Sequence, residues 1–210
     1  MDQNLQKVID KRIEKTVENL KKNQMEAYYV QTCAEAVELV DRLCQPGETV
    51  AVGGSMTLFE AGIIDHINSG KYHHLNRYDQ GADVSRMMRD AFSADTYFTS
   101  TNALTEEGEL YNVDGNGNRV AAMLFGPRQV IVVAGYNKIV EDMDAAVRRV
   151  EKVAAPANVA RLGLASPCAQ TGECVHCRSK GRICCDYVRM GMQRTPGRVK
   201  VIIVGQQLGY

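Results

Sequence analysis

The chain has no tryptophan, and aromatic residues make up only 6% of its 210 positions. Its core must therefore come from Val, Ile, Leu, Met and Ala, which are plentiful enough to fill one. It also lacks a net charge, since 25 Lys and Arg balance 25 Asp and Glu. That balance argues against a nucleic-acid partner and against electrostatic attraction to a membrane surface. No run is long and apolar enough to cross a bilayer. The N-terminus, MDQNLQKVIDKRIEKTVENLKK, is charged throughout and has no apolar stretch of the secretory kind. These absences read as a cytoplasmic protein. In that reducing setting the seven cysteines are expected as thiols or metal ligands, not disulfides. There is no Walker loop and no GxGxxG fingerprint, so nicotinamide and flavin cofactors have no support.

What is present is an alternation of helix and strand signals. Residues 5–22 carry Leu5, Val8, Ile9, Ile13, Val17 and Leu20 at helical spacing. A short strand is expected at 25–30, then a helix capped by Thr32 with Glu35 completing a capping box. Cys33 and Cys44, three turns apart on that helix, read as core packing. Residues 49–52 read as a strand and 58–67 as a helix. A short helix follows at 85–92. Strands are expected at 96–100, 119–125 and 130–134, the first and second separated by a polar hairpin. A long amphipathic helix is expected at 140–162, kinked or restarted by Pro156, and a last buried strand at 199–204. This order predicts an α/β fold: an open, mostly parallel sheet flanked by helices, with an inserted β meander and a Cys-rich C-terminal appendage. The whole chain, 1–210, reads as one domain, with residues 166–186 as a metal-binding segment within it.

Polar residues gather where strands end. Gly53, Gly54, Ser55 and Thr57 join a strand to a helix, where bare N–H groups and glycines admit an anion. Thr101 and Asn102 follow the strand expected at 96–100. Asn116, Asn118 and Arg119 lie in DGNGNR, and Asn137 and Lys138 in GYNK. If the strands before GGSMT, TSTNA and GYNK are parallel, all three loops fall on one edge of the sheet, where α/β folds bind ligands. The expected ligand is a small anion, with Arg119 forking onto its carboxylate or phosphate. Glu106 would be the carboxylate beside it, and so the candidate for acid–base or nucleophilic work. The bland alternatives are a plain β–α turn at the glycines and an Arg119–Asp114 pair across the DGNGNR turn.

The most specific chemical signal is PCAQTGECVHCRSKGRICC. Cys168, Cys174, Cys177, Cys184 and Cys185 fall in a segment too poor in large apolar residues to build its own core. A four-cysteine metal centre would hold it, with one of Cys184 and Cys185 as the fourth ligand and the other spare. Four thiolates suit zinc or an iron–sulfur cluster, and the iron–sulfur reading is placed ahead of zinc. His176 could ligate only at the expense of a cysteine.

AVGGSMTLFEAGI, STNALTEEGELYNVDGNGNRVA and VIVVAGYNKIV together resemble the lactate-utilization (LUD) domain family over most of the chain. The resemblance implies the open α/β sheet of ribose-phosphate isomerase, glucosamine-phosphate deaminase and CoA-transferase. It implies that Gly53, Gly54 and Ser55 match the phosphate-binding turn of that wider fold, and that Glu106 lies near the position of the nucleophilic glutamate of CoA-transferases. It further implies a subunit tied to lactate utilization or 2-hydroxy acid oxidation with an iron–sulfur centre. Under that reading the partners are an iron–sulfur protein and a second copy of the chain in a homodimer, and any enzymatic role is that of an oxidoreductase subunit. The alternatives are a stand-alone domain that binds or transforms a phosphorylated or CoA-like small molecule, and a zinc-stapled assembly protein.

Overall fold

The computed structural model describes residues 2–210. Helix α1 (Gln3–Lys22) begins where the Asp2 carboxylate accepts the N–H groups of Asn4 and Leu5, and it buries Ile13, Val17 and Leu20. Strand β1 (Glu26–Val30) and helix α2 (Cys33–Leu43) follow. Thr32 caps α2 by accepting the Glu35 N–H at 3.2 Å. Glu35 reaches back to the N–H of Gln31, one residue earlier than a capping box requires. Strand β2 (Thr49–Val52) leads into two short helices, α3 (Met56–Glu60) and α4 (Ile63–Ile67). The single helix expected at 58–67 is broken at Gly62, which takes the left-handed φ of +71°. Strand β3 (His73–Leu75), helix α5 (Val84–Asp90), strand β4 (Thr96–Thr99) and the hairpin strands β5 (Ala103–Thr105) and β6 (Leu110–Asp114) come next.

The strand expected at 119–125 is instead helix α6 (Asn118–Leu124). Gly117 turns the chain at φ +70°. The Asp114 carboxylate then accepts the N–H groups of Arg119 at 2.9 Å and Val120 at 3.2 Å, supplying partners that a first turn lacks. Strands β7 (Gln129–Gly135) and β8 (Ile139–Val140) precede helix α7 (Met143–Arg149). A π turn at Val150–Ala154 joins α7 to α8 (Ala155–Arg161), close to Pro156, which has no N–H to continue the ladder. A one-turn helix α9 (Cys168–Thr171), strand β9 (Asp186–Met190) and strand β10 (Val199–Val204) complete the chain.

Six strands form one sheet in the order β1-β10-β7-β4-β2-β3, every neighbouring pair parallel. Both faces are covered, so the strands are apolar at successive positions. Val50, Val52, Ile131, Val133, Ile202 and Val204 pack under α2, α3 and α4. Ala51, Val130, Val132, Val201 and Ile203 face α1 and α6. A second sheet, β8-β5-β6-β9, holds the hairpin and packs Ala103 and Tyr111 against α7. The chain leaves β2 in one direction across the large sheet, to β3, and leaves β4 in the other, to β7. The crevice between the carboxyl ends of β2 and β4 is therefore the switch point at which doubly wound sheets bind ligands.

Candidate functional site

A cavity of about 340 Å³ opens at that switch point. From the β2 side it is lined by Gly54, Ser55 and Thr57, and from the β4 side by Ser100, Thr101 and Asn102. The β6–α6 turn adds Asn116, Asn118 and Arg119, and the β7 end adds Lys138. Thus the structure brings together most of the residues singled out in the sequence. Gly53 lies just behind the wall: a Cβ there would be 2.9 Å from the Tyr97 hydroxyl and 3.1 Å from Arg119 Cγ, so only glycine lets Arg119 pass. Ser55 holds the first position before α3 but makes no side-chain capping bond.

Besides Gly53, two predicted residues are not in the lining. Asn137 points to the C-terminus, accepting the Leu208 N–H at 3.1 Å and donating to the Gly209 carbonyl at 3.1 Å. It ties down the tail whose last residue, Tyr210, does line the cavity. Glu106 is held on the α1 side by Arg12 Nε at 2.6 Å and Lys15 Nζ at 3.0 Å. Burial pushes its carboxyl up, but the two cations outweigh that and leave it below the usual carboxylate range. Glu106 so paired lies outside the cavity lining.

The electrostatics of the floor are unusual. Lys138 is 2% exposed. Its Nζ donates to Thr57 Oγ1 at 2.9 Å, Ser100 Oγ at 3.0 Å and the Thr101 carbonyl at 3.1 Å. All three acceptors are neutral. Burial, then the charges of Arg149 and Arg119, push its pKa down to about 7. Arg119 does not fork onto a ligand position with both Nη groups. These donate to the Asn112 side chain at 2.7 Å, the Asn102 side chain at 3.0 Å and the carbonyls of Ser100 and Val113. Its expected rival partner, Asp114, is occupied by backbone N–H groups instead. Arg149 donates to the carbonyls of Asn102 and Asn137, and burial pushes it down to about 10. Among the described residues no carboxylate pairs with Arg119, Lys138 or Arg149 in a salt bridge. The Asp114 carboxylate also lines the cavity, and its charge opposes the lowering of the Arg119 pKa by burial; an enclosed charge without a paired counter-ion costs several kcal/mol even when hydrogen-bonded. Arg77 and Arg161 add two cations at the rim.

The cysteine segment adjoins the cavity, but none of its five cysteines is in the lining. Ile183 lines the cavity, as does Ala154 of the π turn. The Glu151 carbonyl in that turn accepts the Cys174 N–H at 2.8 Å. Within the segment, Cys168 is buried, Cys174, Cys177 and Cys184 are half-buried, and Cys185 is exposed. Burial pushes the Cys168 and Cys184 thiols up, Cys184 to about 11, and each is raised further by the charges of Cys174 and Cys177. Cys185 does not belong to this group and turns its Sγ to the Arg182 carbonyl. Backbone donors face the sulfurs. The His176 N–H reaches Cys174 Sγ at 3.4 Å, with His176 in a left-handed conformation at φ +48°. The Ser179 N–H, followed by its hydroxyl, lowers the pKa of Cys177. Glu151, Cys174 and His176 bring ligand atoms within 4.8 Å of one another; among the described residues, no three of the tail thiols do so.

Arg77, Arg149, Arg161 and Tyr210 carry no motif, and the sequence did not single them out. Only the fold gathers them. None of the curated proteins matches the chain in sequence. The solved structure of a DUF162 family protein from Deinococcus radiodurans superposes with a TM-score of 0.52 at 14% identity, covering 95% of this chain and 98% of that one. It shares the fold. eIF2B beta from Chaetomium thermophilum gives a TM-score of 0.39 at 13% identity over 53% of this chain and 44% of its own. The family model of the LUD domain matches residues 13–204, and the chain belongs to the LUD domain family.

Proposed function

We propose that this LUD-domain protein binds a small organic anion, a 2-hydroxy or 2-oxo acid of the lactate and pyruvate class, in the switch-point cavity. Family membership relates the chain to lactate utilization. The observation that carries the reading is the pair of lining cations Arg119 and Lys138, hydrogen-bonded to neutral partners only, with the half-buried Arg149 behind them. At an effective dielectric near 20, an anion about 4 Å from one such charge gains roughly 4 kcal/mol. The cavity volume of about 340 Å³ is at the small end of ligand sites. It suits a short acid or sugar phosphate better than a whole CoA ester.

The segment adjoining this cavity would carry a metal centre on Cys168, Cys174, Cys177 and Cys184, with Cys185 spare. Zinc places four thiolates about 3.8 Å apart, since each Zn–S bond is about 2.3 Å. Among the described residues no three of the tail thiols lie within 4.8 Å of one another, which is in keeping with a cluster whose ligands bind different irons. The N–H groups aimed at Cys174 and Cys177 stabilise thiolate, the form that ligates. Such a centre beside an organic acid fits a redox-associated subunit working with an iron–sulfur partner protein. A second reading has one specific support: Glu151, Cys174 and His176 are close enough for a single zinc ion.

Anaerobic purification followed by absorption spectroscopy and iron, sulfide and zinc analysis separates the two. The cluster reading expects iron and sulfide, lost in a Cys174→Ser/Cys177→Ser variant and retained in Glu151→Gln. Zinc alone, lost on Glu151→Gln, supports the second reading. Full metal retention in the double cysteine variant contradicts both.

A further inference from the structure

The anion reading leaves the amine of Lys138 without a role beyond its charge. Its surroundings are poorly suited to a permanent ammonium and well suited to one that loses its proton. Arg149 on α7 and Arg119 on α6 disfavour the charge, and the weaker influence of Glu60 of α3 favours it. Two of its three partners are hydroxyls. A hydroxyl accepts from an ammonium but can rotate and donate to a neutral amine, whereas a carboxylate would fix the charged form. Ser100 Oγ and Thr57 Oγ1 also lie 3.4 Å apart, so the two can pass a proton between them. The Nζ is enclosed yet borders the cavity.

Resting on the 2-oxo acid reading above, we infer that Lys138 is the reactive group of this cavity, a nucleophile that forms an imine with the carbonyl of a small 2-oxo acid. The neutral Nζ uses its lone pair to form a bond to the carbonyl carbon. The C=O π bond breaks and the oxygen takes a proton, giving a carbinolamine. The C–O bond then breaks, the oxygen leaves with a second proton as water, and nitrogen and carbon become doubly bonded. Amine plus carbonyl thus gives imine plus water, with no oxidant or reductant required. The Ser100 and Thr57 hydroxyls are placed to carry these protons. A folded-state pKa near 7 leaves about half of the amine neutral at neutral pH. The imine, once protonated, again puts a cation between Arg119 and Arg149. Only a carbonyl compound that brings its own negative charge relieves this, which selects an oxo acid over a neutral aldehyde or ketone.

The test is reductive trapping. The protein is incubated with pyruvate, glyoxylate or L-lactate, treated with cyanoborohydride, and mapped by peptide mass spectrometry, with pyruvate binding followed in parallel by calorimetry. One adduct per chain is expected at Lys138 with pyruvate and with glyoxylate, formed faster as pH rises from 6 to 8. None is expected with L-lactate, which has no carbonyl. Lys138→Arg keeps a cation; it is expected to bind pyruvate and to trap nothing. Mapping of the wild type decides the matter even if that variant does not fold. Pyruvate bound but not trapped, or trapped equally on surface lysines, overturns the imine and leaves the anion site standing. Pyruvate neither bound nor trapped overturns both.

Discussion

Replacing Lys138 by Met tests the enclosed amine through stability alone, without any ligand. In the unfolded chain this lysine titrates near 10.5, and in the folded protein near 7. Between these values the unfolded state holds a proton that the folded state has released. Stability therefore rises with pH across the window. The contribution is fully present above 10.5, is lost as pH falls, and is gone below about 7. The gap of 10.5 − 7 = 3.5 pH units, at about 1.36 kcal/mol per unit, amounts to roughly 5 kcal/mol over the whole range. From pH 7.5 to 9 the slope approaches one proton, which gives about 2 kcal/mol. The buried thiols Cys44 and Cys184, both pushed up to about 11, act in the opposite sense above pH 9. They are common to both proteins and cancel in the difference. Met fills the same stem volume but leaves the acceptors of Thr57, Ser100 and Thr101 unpaired, a penalty that does not vary with pH. Urea denaturation of wild type and Lys138→Met at pH 6, 7.5 and 9 should therefore show the wild type gaining about 2 kcal/mol on the variant between the last two points. A difference that is the same at all three pH values refutes an enclosed lysine with a depressed pKa.

Gly53→Ala should leave the fold intact but displace Arg119 or Tyr97, whose atoms a new Cβ would meet at 3.1 and 2.9 Å; calorimetry should then find pyruvate binding weakened about tenfold or more. Glu106→Gln should change ligand affinity less than twofold and stability by less than about 1 kcal/mol, since its ion-pair partners Arg12 and Lys15 are well exposed; a large loss of affinity would restore it to the site. Cys185→Ser should retain the full metal content found in wild type by elemental analysis. Thr32→Ala should lower the urea-derived stability by about 1 kcal/mol through the lost α2 cap while leaving metal content and ligand binding unchanged.

The parts of the fold that were legible in the sequence are those with one dominant cause. Residues 49–52 and 199–204 are apolar but for Thr49 and Lys200 because both faces of a parallel strand are covered, and they were read to the residue. The three loops after β2, β4 and β7 were expected on one edge, and parallel pairing puts them there. Residues 119–125 were misread because RVAAMLF suits either state. What decides for α6 is the Asp114 carboxylate, which reaches across the turn to cap it, a contact with no pattern in the local sequence. Strand β9 went unseen because DYVRM is a largely exposed edge strand with no apolar alternation. Lys138 was named as a loop residue, but nothing in GYNK says that its amine is enclosed among Thr57, Ser100 and two arginines. Burial of a charge is a tertiary property, set by strands far apart in sequence.

The central claim is that the switch-point cavity, with the cations that line it and the cysteine segment beside it, holds a small organic anion. Calorimetric titration of anaerobically prepared protein with pyruvate, L-lactate and inorganic phosphate tests it most directly. The account predicts one site per chain, affinity that falls as salt is added, and about a tenfold or greater loss in Arg161→Ala, the size of one charge-assisted hydrogen bond of roughly 1.5–3 kcal/mol. Absence of binding for all three anions, or binding equally strong in wild type, Arg161→Ala and Gly53→Ala, would contradict it.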